Sequence, residues 1–478
     1  MNDSRNSSEH NPLAEHISEG IKVLKAGIVD NDGSTSVDEK NEEEFIHKHS
    51  FEQNNEPDFS VDQNSNVIPR TVTYLGIMMM LMNCAFMMTF SFSGLYLRSL
   101  GIPNIGIGFL EGLSEAMSNI MKFSSGVLSD AMKRRRPVMF VGYTMSIMAR
   151  PVMALAGTFP MFFLSKIMER VGNGIQGTPR DAIVADITPS KRIGAAYGLK
   201  RSLATIGSII GAGIGSFIMY MTNDDMNTVF WFACIPSSIA FMILIFGVKE
   251  PKRTNHSAVS SEIPLPAPKR KITYNIKNLK FLGTAFWLLM AVNAVFMMAR
   301  VGEQFIVLHA KTNYNLSNTY APIVFIIFNF GWCITSYPIG LLGDRMNRYW
   351  ILILGIILLV FSSILLATAT NTTLFFIGVL FWGFQYGITM NIFSSLIGQI
   401  VPENLRGTGF GIYYIINAVT IILGESMAGH IADQFGYHAA FTLSSIIGLT
   451  ALMVLIIVMA IKTSQKRPKK SSPKTANI

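Results

Sequence analysis

The chain has 478 residues, half of them hydrophobic and only 14% charged, with a mean hydropathy of +0.38. That balance places it among integral membrane proteins and excludes an ordinary soluble multidomain enzyme. The formal charge of +9 is uneven: residues 1–70 hold 15 of the 30 acidic side chains and 6 of the 39 Lys and Arg, leaving about −9 there and about +18 elsewhere.

Residues 1–70 are rich in Asn, Ser, Glu and Asp and read as an acidic, mostly disordered tail. It has no apolar h-region, so no secretory signal peptide is expected. Leu13, Ile17, Ile21, Leu24 and Ile28 recur at steps of three and four. They describe either a fluctuating helix or a segment that docks on a membrane or partner. Apolar spans follow near 72–97, 105–128, 137–157, 159–184, 197–221 and 228–248, then near 281–309, 317–342, 349–369, 373–399, 408–432 and 439–461. Each is long enough for a hydrocarbon core that takes roughly 20 helical residues. The expected fold is all-α and integral to the membrane, with twelve transmembrane helices in two six-helix pseudo-repeats. The domains are residues 71–248 and 281–461, a polar proline-containing linker at 249–280, and a basic tail at 462–478.

The first span of the chain to end on a dense charge cluster does so at Gly126–Pro137, G-V-L-S-D-A-M-K-R-R-R-P, with a second version at Gly340–Arg348, G-L-L-G-D-R-M-N-R. Asp130 and Asp344 are 214 residues apart, while Pro189, Gly194 and Gly198 precede Pro402, Gly407 and Gly411 by 213. Two hinges whose offsets agree to within one residue argue for a parallel internal repeat. Basic residues gather on the hinge side: Lys133–Arg136, Lys191, Arg192, Lys200, Arg201, Arg345, Arg348, Arg406 and the run 462–474. The other loops carry Arg98 and Lys311 beside Asp224, Asp225 and Asp433. The positive-inside rule then puts both termini in the cytoplasm and the chain in the inner membrane. Nucleic acid is not an expected partner, because the basic residues flank apolar spans; lipid headgroups are.

The chain resembles the major facilitator superfamily of secondary transporters over residues 72–461. The likeness is carried by Gly126, Asp130 and Arg134 and their echo Gly340, Asp344 and Arg348. Lys166-I-M-Glu169-Arg170-V-Gly172-N-Gly174 in the fourth span is similar to the family's Arg-and-glycine motif; spacing to Gly174 suits Arg170 and spacing to Asp186 suits Lys166. L-E-G-L-S-E (110–115) and T-P-R-D-A-I-V-A-D (178–186) resemble an uncharacterised prokaryotic branch. Gly207-S-I-I-Gly211-A-G-I-Gly215 resembles the antiporter glycine motif, with Ala212 in place of its proline and Ser216 in place of its last glycine. The resemblance implies alternating access, with Asp130 and Asp344 bracing a cytoplasmic gate.

Charges inside spans are costly and so face the protein interior or water. Glu111 and Glu115, four residues apart, share a helix face. Two neighbouring carboxylates offer a route to proton coupling; the bland alternative pairs each with Arg150, Lys166, Arg170 or Arg300. Arg150 precedes Pro151, a helix-bending residue. Arg170 is a candidate anchor for an anionic solute or a structural partner, and Glu425 has no basic neighbour in its own helix. Arg180 and Asp181 are expected to brace the gate, and Arg300 and Glu303 to form a local pair. The neutral polar candidates are Asn83, Asn293, Asn329, Gln385, Asn391 and Asn417.

Cys84, Cys234 and Cys333 show no metal spacing, the 28 methionines no repeated thioether pattern, and the chain no phosphate-binding G-x-x-x-x-G-K-[ST]. No metal, cofactor or catalytic group is expected, and a monomer is. The expected function is proton-coupled movement of a small organic solute, inclined to efflux. Alternatives are proton-coupled uptake of a nutrient, metabolite or iron chelate, or a receptor built on the transporter fold.

Overall fold

The spans are helices in a computed structural model that describes residues 69–132, 135–188, 193–247, 282–401 and 405–466. The acidic tail with its Leu13–Ile28 pattern, the central linker, the end of the basic tail, and Lys133 and Arg134 lie outside the described residues. Among those described, no strand is present and the order is α1 (Arg70–Ser99), α2 (Asn104–Met132), α3 (Arg136–Ala154), α4 (Phe159–Ile187), α5 (Ile193–Met221), α6 (Met226–Phe232) and α7 (Cys234–Gly247). The second half continues with α8 (Gly283–Ala299), α9 (Glu303–Tyr314), α10 (Pro322–Arg345), α11 (Arg348–Thr368), α12 (Thr372–Ile400), α13 (Arg406–Phe435) and α14 (Tyr437–Lys466).

Two expected spans are thus each two helices. The sixth is α6 and α7, parted after Phe232, and the seventh is α8 and α9, parted at Arg300–Gly302. The eighth starts later than expected, because Asn318–Tyr320 forms a 3₁₀ turn before Pro322 opens α10. Proline suits that first helical position, since its missing N–H has no partner to lose. Elsewhere side chains cap: Asn371 accepts from the Leu374 amide at 2.8 Å and Asn347 from that of Tyr349 at 3.1 Å.

Among the described residues, nine helical stretches are long and apolar enough to cross a membrane. The long helices left out are α2, α3 and α4, of 29, 19 and 29 residues. They have the length but carry Glu111, Glu115 and Lys122, Arg150, and Lys166, Glu169 and Arg170 respectively. Their low hydropathy is the mark of a polar interior.

Small residues set the packing, as expected where lipid gives helices no hydrophobic drive to associate. On α5, a Cβ at Gly207 or Gly211 would come within 3.0 Å of the Met80 or Cys84 carbonyl of α1. The antiporter-like glycine string therefore has a packing reason of its own. Between the halves, α2 lies along α13, and α5 meets α10. Gly108 and Gly112 face Glu425 and Ile422 backbone, and Gly429 faces Asn104, each too close for a Cβ.

Polar ties between the halves lie at the end opposite the hinges. Asp433 at the close of α13 accepts from the first amides of α2, Asn104 and Ile105, both at 2.9 Å. The Tyr437 hydroxyl donates to the Asn104 side chain at 2.9 Å, and Thr319 donates to Asp224 at 2.7 Å. Gln304 enters the α1 ladder: its Nε2 donates to the Phe90 carbonyl at 2.8 Å, and its Oε1 accepts from the Gly94 amide at 3.1 Å. An unbroken helix would pair those two backbone groups with each other. A Cβ on Gly94 would fall 2.7 Å from Gln304 Oε1, so only glycine admits this insertion.

Candidate functional site

Between α2, α4, α8, α9, α12 and α13 lies a cavity of about 240 Å³. Glu111, Glu115, Asn119 and Lys122 form its α2 wall. Their steps of four, four and three mark one helical face, so the last two were findable by extending the stripe that the glutamates begin. Arg170 enters from α4; Arg300, Gly302 and Glu303 come from the break between α8 and α9; Glu425 comes from α13.

The α2 and α4 stripes meet as rungs. Lys166, 2% exposed, pairs with Glu111 and also donates to Ser93 at 2.9 Å. Arg170 pairs with Glu115 at 3.3 Å, and its guanidinium lies 4.8 Å and 5.1 Å from the Phe86 and Phe90 rings. The two glutamates thus each face a cation of the neighbouring helix. A third pair lies outside the cavity lining: Arg150, fully buried before Pro151, is 3.4 Å from Glu169 and donates to the Ser146 carbonyl at 2.8 Å. Its Nη2 and Glu169 Oε1 touch as charges without hydrogen-bond geometry.

The second half is sparser. Arg300 and Glu303 are 3.9 Å apart, across the helix break and not within one helix, and the Arg300 guanidinium lies over the Tyr386 ring at 3.9 Å. Glu425 Oε2 is buried without a hydrogen-bond partner. Its carboxyl group rests against Gly302, where a Cβ would be 3.1 Å from Cδ and Oε2. A backbone interruption is tolerated in a membrane where it lines a cavity and is shielded by protein. Asn293, fully buried, donates to Asn417 at 2.6 Å, and it is Asn417 that lines the cavity.

Other sequence candidates fall elsewhere. Asn83 is half-buried on α1, outside the lining. Asn329 donates to the Phe325 carbonyl of its own helix at 2.8 Å, and Gln385 is fully buried behind the wall. Asp181 accepts from Lys200 at 2.5 Å and Arg180 at 3.4 Å, tying α4 to α5 toward the hinge end. Gly126 lies on α2, where a Cβ would sit 3.0 Å from Thr178. The backbones of Asp130, Gly340 and Asp344 are helical, in α2 and α10, but their side chains, like Arg134 and the side chain of Asn391, are outside the described residues. Arg348 opens α11 and donates to the Ser395 carbonyl at 3.3 Å. Tyr386, Tyr413 and Tyr414 also line the cavity and carried no mark in the sequence, since an aromatic in an apolar span reads as lipid-facing.

The model of the Major Facilitator Superfamily matches residues 75–308 and 304–477. An uncharacterised MFS-type transporter of Methanocaldococcus jannaschii is 22% identical over 402 residues, covering 83% of this chain and 97% of its own. The quinolone resistance protein NorA of Staphylococcus aureus is 24% identical over 162 residues, 34% of this chain and 41% of that one. The crystal structure of the nucleoside transporter NupG aligns over 82% of this chain and 99% of its own, with a TM-score of 0.63 at 16% identity, which speaks to the fold alone. With family matches over both halves and the helical fold in place, the chain belongs to the Major Facilitator Superfamily and is a multi-pass membrane transporter.

Proposed function

We propose that the protein is a proton-coupled secondary transporter that exports a small organic solute by alternating access, with Glu425 as the carboxylate that exchanges its proton for solute. The observation carrying this reading is the contrast within one cavity. Glu111, Glu115 and Glu303 each have a cation within salt-bridge range, whereas Glu425 Oε2 is buried without a hydrogen-bond partner. A buried carboxylate without a partner is costly as an anion, and a bound proton or a bound cationic group relieves that cost equally. One group serving both ligands makes their binding mutually exclusive, which is the requirement for exchange. The partial likeness to a quinolone resistance protein supports the export direction.

In this reading both termini are cytoplasmic in the inner membrane, the hinges at Gly126–Arg134 and Gly340–Arg348 mark the cytoplasmic gate, and the six-helix halves rock about the cavity. The ties at Asp433, Tyr437 and Asp224 hold the outer side closed. The test is flux in proteoliposomes under an imposed pH gradient, compared between everted and right-side-out membrane vesicles. Export stimulated by inward proton flow supports the proposal; co-directional movement of proton and solute replaces it with uptake by symport. Asp130→Asn should slow turnover while leaving membrane insertion intact.

A further inference from the structure

Three polar atoms on the cavity wall are buried without a hydrogen-bond partner: Oε2 of Glu425 and the Nε atoms of Arg170 and Arg300. Buried polar groups in native structures are nearly always satisfied, so three bare ones on residues that line one cavity ask for a ligand. Two are donors on cations and one is an acceptor on an anion. A solute of one sign leaves part of the set unmatched.

The geometry sharpens the point at the break in the seventh span. The Arg300 guanidinium carbon lies 3.9 Å from the centre of the Tyr386 ring, and its carboxylate neighbour Glu303 is 3.9 Å off. Two residues on, Gly302 has no side chain, and the Glu425 carboxyl group occupies the space in front of it. The cavity lining therefore offers both a guanidinium, that of Arg300, and a carboxylate, that of Glu425. Arg and carboxylate groups are the usual receptors for a carboxylate and an ammonium. At about 240 Å³ the cavity is smaller than the roughly 300–1,000 Å³ that encloses drug-sized ligands.

We propose that the solute is a small zwitterion carrying an ammonium and a carboxylate, its ammonium on Glu425 and its carboxylate on the edge of Arg300, with Arg170 beside it. This rests on the reading of the cavity as the solute site. It names the feature that Glu425 would recognise: the ammonium that competes with the proton. A simple organic cation would leave both guanidinium donors bare. A simple carboxylate would leave Glu425 bare. A sugar could meet the hydrogen bonds but would bring no positive charge to Glu425.

The test is thermal unfolding of the purified full-length protein in lipid nanodiscs, at neutral pH and with no gradient. The probes are glycine, L-leucine, γ-aminobutyrate and glycine betaine, against tetraethylammonium, butyrate and D-glucose. A bound ligand raises the midpoint in proportion to its occupancy. The expected result is a dose-dependent rise for at least one zwitterion and none for the other three compounds at equal concentration. Glu425→Gln and Arg300→Met should each weaken the response about tenfold or more, the value of one charged hydrogen bond. Gly302→Ala keeps every charge but displaces the Glu425 carboxylate, and should weaken the response too, which guards against loss of either charged variant to misfolding. A rise with tetraethylammonium, butyrate or D-glucose in place of the zwitterions, or no rise with any zwitterion, overturns the assignment. Coupling is read separately: a zwitterion that binds but ignores a pH gradient removes proton exchange and leaves the solute class standing. A gradient-driven solute that is not a zwitterion does the reverse.

Discussion

The two halves treat interior charge in opposite ways. In the first half, Glu111, Glu115 and Glu169 are matched one for one with Lys166, Arg170 and Arg150, on helices that pack side by side. In the second, the Arg300 and Glu303 charges stand 3.9 Å apart across a helix break and Glu425 faces bare backbone. Paired charges brace helices that hydropathy alone would not hold together. A carboxylate left without such a pair is free to change partners. On the proposed reading, the difference separates a half braced by paired charges from the half that supplies the exchanging carboxylate.

The sharpest way to break the contrast is to unpair the first half. Arg150→Met leaves Glu169, 3% exposed at its side chain, as a bare buried anion. Removing one member of a buried pair costs about 3–5 kcal/mol, so the unfolding midpoint should fall steeply. The double variant Arg150→Met with Glu169→Gln should recover most of that loss, because no charge is then left uncompensated. A double variant as unstable as the single would mean that Arg150 acts through packing.

The same operation on the second half should read out differently. On the proposed reading Glu425 holds a proton when no solute is bound, so its neutral replacement in Glu425→Gln should change stability by less than about 1 kcal/mol. Flux driven by a pH gradient should instead fall by about tenfold or more, while exchange of solute for solute is lost only to the extent that solute binding is. A large fall in stability with flux intact would place Glu425 among the structural charges. Measuring both quantities on both variants turns the comparison into a two-by-two test.

How much of this was legible in the chain depends on whether a feature is one-dimensional. Span positions follow from run length, and the α2 stripe from its helical period, so the helices and the face holding Glu111 and Glu115 could be read. The pairing of those glutamates with Lys166 and Arg170 could be listed as an option only, because the register between α2 and α4 is set by packing. The break at Arg300–Gly302 was hidden inside an apolar run with no proline; one glycine between two charged residues is too common a pattern to mark it. The string Gly207 to Gly215 was visible and suggested antiport, yet its first two glycines already have a reason in the close approach of α5 to α1. Sequence shows that a glycine is needed, and structure shows by what.

A third expected effect lies at the end of the molecule where the two halves are tied. Asp433 caps the first amides of α2 from across the interface, both at 2.9 Å, adding a charge to the positive end of that helix. Asp433 and Glu425 belong to the same helix, α13, so the tie and the lone carboxylate move as one body. Losing a helix cap costs about 1 kcal/mol and the dipole contact up to another. Asp433→Ala should therefore shift the balance toward the state open at that end by about 5–30-fold. In a background lacking Cys84, Cys234 and Cys333, a cysteine placed at Met390 on the cavity wall would report this opening. Its labelling by an impermeant thiol reagent from the side of Asp433 should speed up by that factor in the Asp433→Ala protein. Unchanged labelling would mean that the backbone contacts at Gly108, Gly112 and Gly429 hold that end shut by themselves, and that charge governs the cavity without governing the seal.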